Sequence, residues 1–261
     1  KDRPAHDTAA VAASGVLSVS RSPSDESGPA IVGVAMSDIL SSHLAFGGIM
    51  MALYRRQLTD LGDYIDISMF ESVLNASPNI VGPVFAGGQA PDRLQERTHG
   101  GNAMLNIYEL KDGTYLALAG GERKFVSELF SGLGRPDFID LVTGPAGDGH
   151  REAIAYLRDI FLSKTRAEWE EWFEGRDIGW MPVMDLAEAW DSKQVWERDM
   201  RIKDDQGNDH IGIPIKFLNE PGKVHFHLPE VGQHTVSILD ELGFDEREVK
   251  ELSSSGIVGV K

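Results

Sequence analysis

Between positions 38 and 57 the chain is apolar almost throughout, and the stretch closes on Arg55-Arg56, basic charge that suits a helix C-terminus. A single acid, Asp38, stands at its head, just after a short apolar segment at 31–35. The unbroken apolar run, 44–54, is eleven residues long; a bilayer span needs about 20. The sequence therefore predicts a long helix of a globular protein and no transmembrane segment. With 41% apolar and 25% charged residues, the rest of the chain has ordinary globular composition. At roughly 150 residues per domain, 261 residues fall between one domain and two.

Several function classes drop out at once. There is no cysteine, which removes disulfides, thiolate zinc sites and a cysteine nucleophile. Forty-one acids against 25 bases give a net charge of −16, a poor match for a phosphate backbone, so no nucleic-acid partner is expected. The opening residues are polar and no apolar signal core follows them, so a cytoplasmic location is expected. The chain begins at Lys1 inside what reads as mid-protein sequence.

The organisation is mixed α/β. Residues 8–17 are small and apolar and lead into a polar Ser/Pro/Asp loop at 18–29. Segment 31–35 reads as a strand, 38–57 as a helix, 64–69 as a period-2 strand, and 70–75 as a helix. Residues 81–101, rich in Gly, Pro and Gln, read as a linker. Segments 104–108 and 114–118 flank Lys111-Asp112-Gly113, a hairpin signal. Helices are expected at 123–133, 151–162, 166–174 and 186–191, a strand-like piece at 211–218, and two short helices at 235–242 and 245–253.

Individual motifs leave alternatives open. The pairs Gly47-Gly48, Gly87-Gly88, Gly100-Gly101 and Gly120-Gly121 lack dinucleotide or Walker spacing, so helix packing and turns are the simpler account. His225 and His227 have no evident third ligand, and no metal site is expected. Asp7 suits a helix N-terminus as a plain cap, with His6 beside it as a possible oriented base. Asp38 reads equally as an N-cap or as a carboxylate in a partly dry cleft, and Glu122 as a first-turn acid or more.

Taken in order, the segments resemble the family III coenzyme A transferases (CaiB/BaiF), which include formyl-CoA and carnitine-CoA transferases and the α-methylacyl-CoA racemases. The matching pieces are Arg3-Pro-Ala-His-Asp7, Met36-Ser-Asp38 with its helix, Gly62-Asp-Tyr-Ile-Asp-Ile-Ser-Met69, Gly100-Gly-Asn102, Gly121-Glu-Arg-Lys-Phe125, Leu133-Gly-Arg-Pro136 and Val231-Gly-Gln-His234. The resemblance implies an α/β fold with a Rossmann-like large domain, incomplete here, and a smaller α+β domain in an interlocked dimer. It covers the C-terminal two-thirds of such a protein; a further N-terminal stretch would carry the first strands and most CoA contacts. The implied division is 1–85 for the large-domain part, 86–103 a linker, 104–200 the small domain, 201–224 a return linker and 225–261 C-terminal helices.

Carried over by resemblance, Asp38 is the acid shared by both branches, His6 the racemase histidine, and Glu122 an active-site glutamate contributed across the dimer. Ala5, His6, Asp7 and Thr8 fall near the CoA pantetheine, and Gly100-Gly101 stands where a glycine loop covers the site. Racemases place glycines after the aspartate, whereas Asp38 is followed by Ile39-Leu40; Ser37 is closer to the transferase pattern. The chemistry fits these residue types. Removing an α-proton beside a thioester needs a positioned base, and inversion needs a second group on the opposite face. A transferase needs one exposed carboxylate and a lid. The expectation is racemisation of a 2-methylacyl-CoA. The alternatives are CoA transfer through an Asp38 anhydride, or a non-catalytic subunit or fragment of an interlocked assembly. The CoA thioester is substrate, with no tightly bound cofactor, and the partner is a second copy or a complementary N-terminal polypeptide.

Overall fold

The computed structural model describes residues 4–20, 28–92, 94–98 and 100–261; Arg3 of the first matching segment and 21–27 of the expected loop lie outside them. The chain forms two compact units, Lys1–Val183 and Met184–Lys261.

The first unit opens with α1 (Asp7–Ala13), a short Ala-rich helix that buries Ala10 and Val11 and ends before Gly15 at φ 82°. The long apolar stretch is α2 (Met36–Thr59). By length and composition it is apolar enough to cross a bilayer, and only 6% of its most apolar window is buried. The unbroken run alone understates this apolarity, because a single polar residue ends a run but only dilutes an average. Of its glycine pair, Gly48 serves close approach, since a Cβ there would lie 3.3 Å from Ile65, while Gly47 faces open space. α3 (Met69–Asn75) follows, capped by the Ser68 hydroxyl, then α4 (Gly82–Gly87), with proline in its first turn.

The two strands expected before the hairpin are not formed. Residues 31–35 and 64–68 carry no strand, although Ile31 and Tyr64 are 78% and 89% exposed. Alternation makes a segment competent for a sheet; a ladder partner makes it a strand, and among the described residues neither segment has one.

The hairpin is as expected. β1 (Leu105–Glu109) pairs antiparallel with β2 (Tyr115–Ala119), from Leu105 opposite Ala119 to Glu109 opposite Tyr115. Gly113 takes φ 77° in the turn. Asp112 accepts from Thr114 Oγ1 at 2.7 Å and from the Arg166 N–H at 3.0 Å, so the turn is tied to a helix start. A third strand, β3 (Trp180–Pro182), adds to β2; three residues are too few for a period-2 signal, and the sequence gives no sign of it.

The helices of this part are α5 (Arg123–Gly132), α6 (Phe138–Val142), α7 (Arg151–Phe161) and α8 (Arg166–Phe173). Each of α5, α7 and α8 buries positions three or four apart: Val126, Leu129 and Phe130; Ile154, Leu157 and Phe161; Trp169 and Phe173. With Tyr108, Leu116 and Leu118 from the sheet they form one core. Its centre is aromatic: Phe161 lies 4.9 Å from Trp169 and 5.1 Å from Tyr108 between ring centroids, and Phe173 stacks on Trp180 at 4.3 Å. Burial pushes the Tyr108 hydroxyl pKa up, well beyond its ordinary value, and the hydroxyl donates to the Ala103 carbonyl at 2.7 Å.

The second unit holds α9 (Leu186–Trp190), α10 (Lys193–Glu197), β4 (Arg201–Lys203), β5 (Asp209–Ile211), α11 (Thr235–Glu241) and α12 (Glu246–Ser254). The strand-like piece at 211–218 contributes only Ile211, because β5 closes a short two-stranded ladder with β4. Charge holds this hairpin. Asp209 accepts from Arg201 Nη2 at 2.6 Å and Lys203 Nζ at 2.8 Å, which lowers its pKa from 3.8 to about 2. His210, at 3.0 Å, and Asn208 depress Asp204 in the same direction. Carboxylates with depressed folded values contribute stability above their unfolded pKa and lose it as pH falls through the folded one. The hairpin is therefore expected to keep its ties at neutral pH and loosen as pH falls from 3.8 toward about 2. Amide exchange across 201–211 would show this; protection unchanged down to pH 2 would remove the electrostatic account. Asp209 is solvent-exposed and Asp204 partly buried, and both ties lie within the one hairpin, so the effect is local.

Candidate active site

The segment that the sequence offers as a site is built from the meeting of two helix starts. α2 has Ala35 at its N-cap, a residue with no side-chain acceptor. The first N–H groups of a helix have no partner within it. Asp7, thirty residues earlier, supplies the acceptor: its Oδ1 accepts from the Ser37 N–H at 2.7 Å, the Ser37 hydroxyl at 2.9 Å and, more weakly, the Asp38 N–H at 3.4 Å. Ser37 is fully buried, and its hydroxyl also lies 3.3 Å from the Asp7 carbonyl.

This clamp ties the residue after His6 to the residue before Asp38. His6 precedes Asp7 at the N-cap of α1, where its carbonyl accepts from Ala9 and Ala10. Asp38 follows Ser37 in the first turn of α2. Both side chains are exposed. Of the two sequence readings of Asp38, capping is not what the structure shows: Asp7 caps α2, and the Asp38 carboxylate has no hydrogen-bond or ion-pair partner among the described residues. Asp7 in turn is not a plain cap of its own helix. Sequence reasoning missed the Asp7–Ser37 tie. One signal was available, since an apolar helix opening on Ala35 needs an acceptor from elsewhere. Ala5 and Thr8, on either side of the His6-Asp7 pair, are exposed.

Glu122 lies apart from this clamp in the chain. It occupies the N-cap of α5 with no side-chain capping bond, its carbonyl accepting from Phe125 and Val126. No hydrogen bond or ion pair joins it to His6, Asp7 or Asp38 among the described residues. Of the two preceding glycines, Gly120 is a packing position, where a Cβ would lie 2.7 Å from the Phe125 ring, whereas Gly121 faces open space.

Gly100 and Gly101 are buried. A Cβ on Gly101 would lie 2.5 Å and 2.7 Å from the carbonyl oxygens of Leu94 and Glu96, and Gly100 takes φ 105°. The Gly101 carbonyl accepts from the Gly147 N–H at 2.8 Å, Gln95 Nε2 donates to Asp148 at 2.9 Å, and His150 Nδ1 accepts from the Ala103 N–H at 3.2 Å. That accepted bond places the proton of buried His150 on Nε2, directed at the Gly144 carbonyl 3.2 Å away. The segment is thus latched onto the loop at 144–150.

No cluster of three or more metal-ligating side chains occurs among the described residues. A cavity of about 180 Å³ in the second unit, between Ile202, Ile213, Ile215 and Lys216, contains none of the expected site residues.

The profile of "CoA-transferase family III" matches residues 1–235. The human alpha-methylacyl-CoA racemase is 30% identical over 256 residues, covering 97% of this chain and 66% of its own length. The (R)-2-hydroxy-4-methylpentanoate CoA-transferase of Clostridioides difficile is 25% identical over 271 residues, covering 99% and 66% respectively. A solved CaiB/BaiF family protein of Brucella suis superposes with a TM-score of 0.70 at 22% identity, over 92% of this chain and 64% of that one. The chain thus spans just under two-thirds of the length of the relatives it matches.

Proposed function

The chain belongs to CoA-transferase family III, and from that premise we propose that it acts on acyl-CoA thioesters and racemises a 2-methylacyl-CoA. The observation that carries this reading is the Asp7–Ser37 clamp, which sets an imidazole-bearing residue and an unpartnered carboxylate on adjoining helix starts. One of the pair removes the proton α to the thioester carbonyl, the electrons pass to the carbonyl oxygen, and the other returns a proton to the opposite face; the roles exchange for the other enantiomer. Ala5, Asp7 and Thr8 flank the pantetheine on this reading, Glu122 enters from a partner subunit, and the Gly100-Gly101 segment, held by the 144–150 loop, covers the site. Incubation with a 2-methylacyl-CoA in deuterium oxide, with no acceptor acid, tests it: deuterium should appear at the α-carbon. Absence of exchange, alongside CoA transfer once a free acid is added, would select the transferase alternative. That second reading draws on the same free Asp38 carboxylate, which suits attack on a thioester.

The partner is a second copy or a complementary N-terminal polypeptide. Support comes from burial: across residues 4–92 the buried apolar side chains are Ala10, Val11, Val19 and Val73 among those described, while Phe46, Met50, Met51 and Tyr54 of α2 are exposed. So little buried surface does not offset the entropy of ordering such a segment. Native mass spectrometry should find a species heavier than one 28.6 kDa chain; a monomer alone at micromolar concentration would remove the partner.

A further inference from the structure

We propose that Asp7 is a positioning residue of this site: it takes over the capping of α2, which leaves the Asp38 carboxylate free, and it fixes the His6 backbone against the start of that helix. The inference deepens the reading of Asp38 as the reacting acid and rests on it. Ser37 and Asp38 hold the second and third positions of α2, where N–H groups are normally satisfied by an N-cap side chain. Ala35 has nothing to offer them. A carboxylate at the third position is itself well placed to turn back toward the N-cap backbone, as in a capping box. Two other helices of this chain show that geometry, with Glu168 on Thr165 and Glu248 on Asp245. At α2 the third-position acid does not turn back, and the acceptor comes from α1 instead.

The consequence is specific. Without the Asp7 carboxylate, the Ser37 and Asp38 N–H groups and the buried Ser37 hydroxyl lose their acceptor, and the nearest replacement is Asp38 itself. The acid would then be drawn into its own helix end, and His6 would lose its tether to that end. A residue that only held the fold together would, on removal, loosen α1 from α2 without masking Asp38.

The test uses the full protein in its native assembly and two readouts. Labelling of carboxylates by a water-soluble carbodiimide with an amine, quantified by peptide mass spectrometry against exposed Asp66, reports whether Asp38 is free. Asp7→Ala should lower Asp38 labelling about fivefold, the scale of a lost helix cap. Adding Ala35→Ser, a local cap, should restore it. With a 2-methylacyl-CoA in deuterium oxide, Asp7→Ala should lower kcat for exchange by about 10- to 100-fold, the scale of a small misplacement of a reacting group, and leave KM nearly unchanged. Unchanged Asp38 labelling in a folded Asp7→Ala protein overturns the proposal whatever the activity. If Asp7→Ala alone does not fold, the Asp7→Ala/Ala35→Ser protein decides: folding with Asp38 labelled as in the wild type supports the capping role, and failure to fold or a masked Asp38 overturns it. A wild type that labels as expected but shows no exchange would sink the racemase reading and leave the capping result standing.

Discussion

Replacing His6 by alanine is expected to lower racemisation of a 2-methylacyl-CoA by ~10²–10⁴-fold, the usual contribution of a general acid–base group. Asp38→Ala should do the same. At about 1.4 kcal/mol per decade, either loss is roughly 2.8–5.6 kcal/mol of transition-state stabilisation. The informative part is an asymmetry between the two variants. In His6→Ala the remaining carboxylate still addresses one face of the α-carbon. It can take a proton there and return a deuteron to the same face, so one enantiomer should exchange without inverting. In Asp38→Ala the other enantiomer should behave this way. Opposite enantiomer preferences in the two single variants would place the two groups on opposite faces. A transferase working through an Asp38 anhydride gives a different pattern: Asp38→Ala abolishes CoA transfer, and His6→Ala leaves it nearly intact. Separate chiral analysis of each enantiomer after incubation in deuterium oxide reads all of these outcomes, and equal loss of exchange from both enantiomers in both variants would defeat the two-base account.

What could be read from the sequence, and what could not, divides along the range of the interactions involved. The β1–β2 hairpin and the helices α5, α7 and α8 are written in local signals: Asp112-Gly113 makes the turn, and apolar residues three and four apart mark the buried faces. Strands at 31–35 and 64–69 are expected from equally good local patterns, but a ladder needs a second segment, and the pattern carries no information about whether one is present. The candidate site divides in the same way. His6, Asp38 and Glu122 could be singled out by type and order. The contact that makes sense of two of them could not, because Asp7 and Ser37 are thirty residues apart and each has a sufficient local explanation. Asp7 looks like the cap of the helix it starts, and Ser37 like an ordinary first-turn residue. Only the poverty of Ala35 as a cap points beyond the local reading.

Phe161→Ala is expected to destabilise the helical part of the first unit by ~3–5 kcal/mol, the range for emptying a buried aromatic site. The residue is fully buried at the last position of α7, with Tyr108, Trp169 and Phe173 around its ring. Its backbone adds a second tie, since the Phe161 carbonyl accepts the Trp169 indole N–H at 2.9 Å. That bond survives the substitution only if α7 keeps its end in place; a collapse that fills the cavity would move the carbonyl, so the site cannot relax cheaply. Against a typical stability of about 5–15 kcal/mol, the loss is a large fraction of the whole. The next residue supplies the control. Leu162 has nearly the same apolar bulk but is 47% exposed, and Leu162→Ala should cost well under half as much, because part of that surface is already in water. Urea unfolding of the native assembly followed by tryptophan fluorescence measures both, with Trp169, Trp172 and Trp180 reporting from this region. The midpoint should fall steeply for Phe161→Ala with the slope unchanged, as for a change in stability alone. Similar midpoints for the two variants would mean that the aromatic cluster is not where this part of the chain holds its stability.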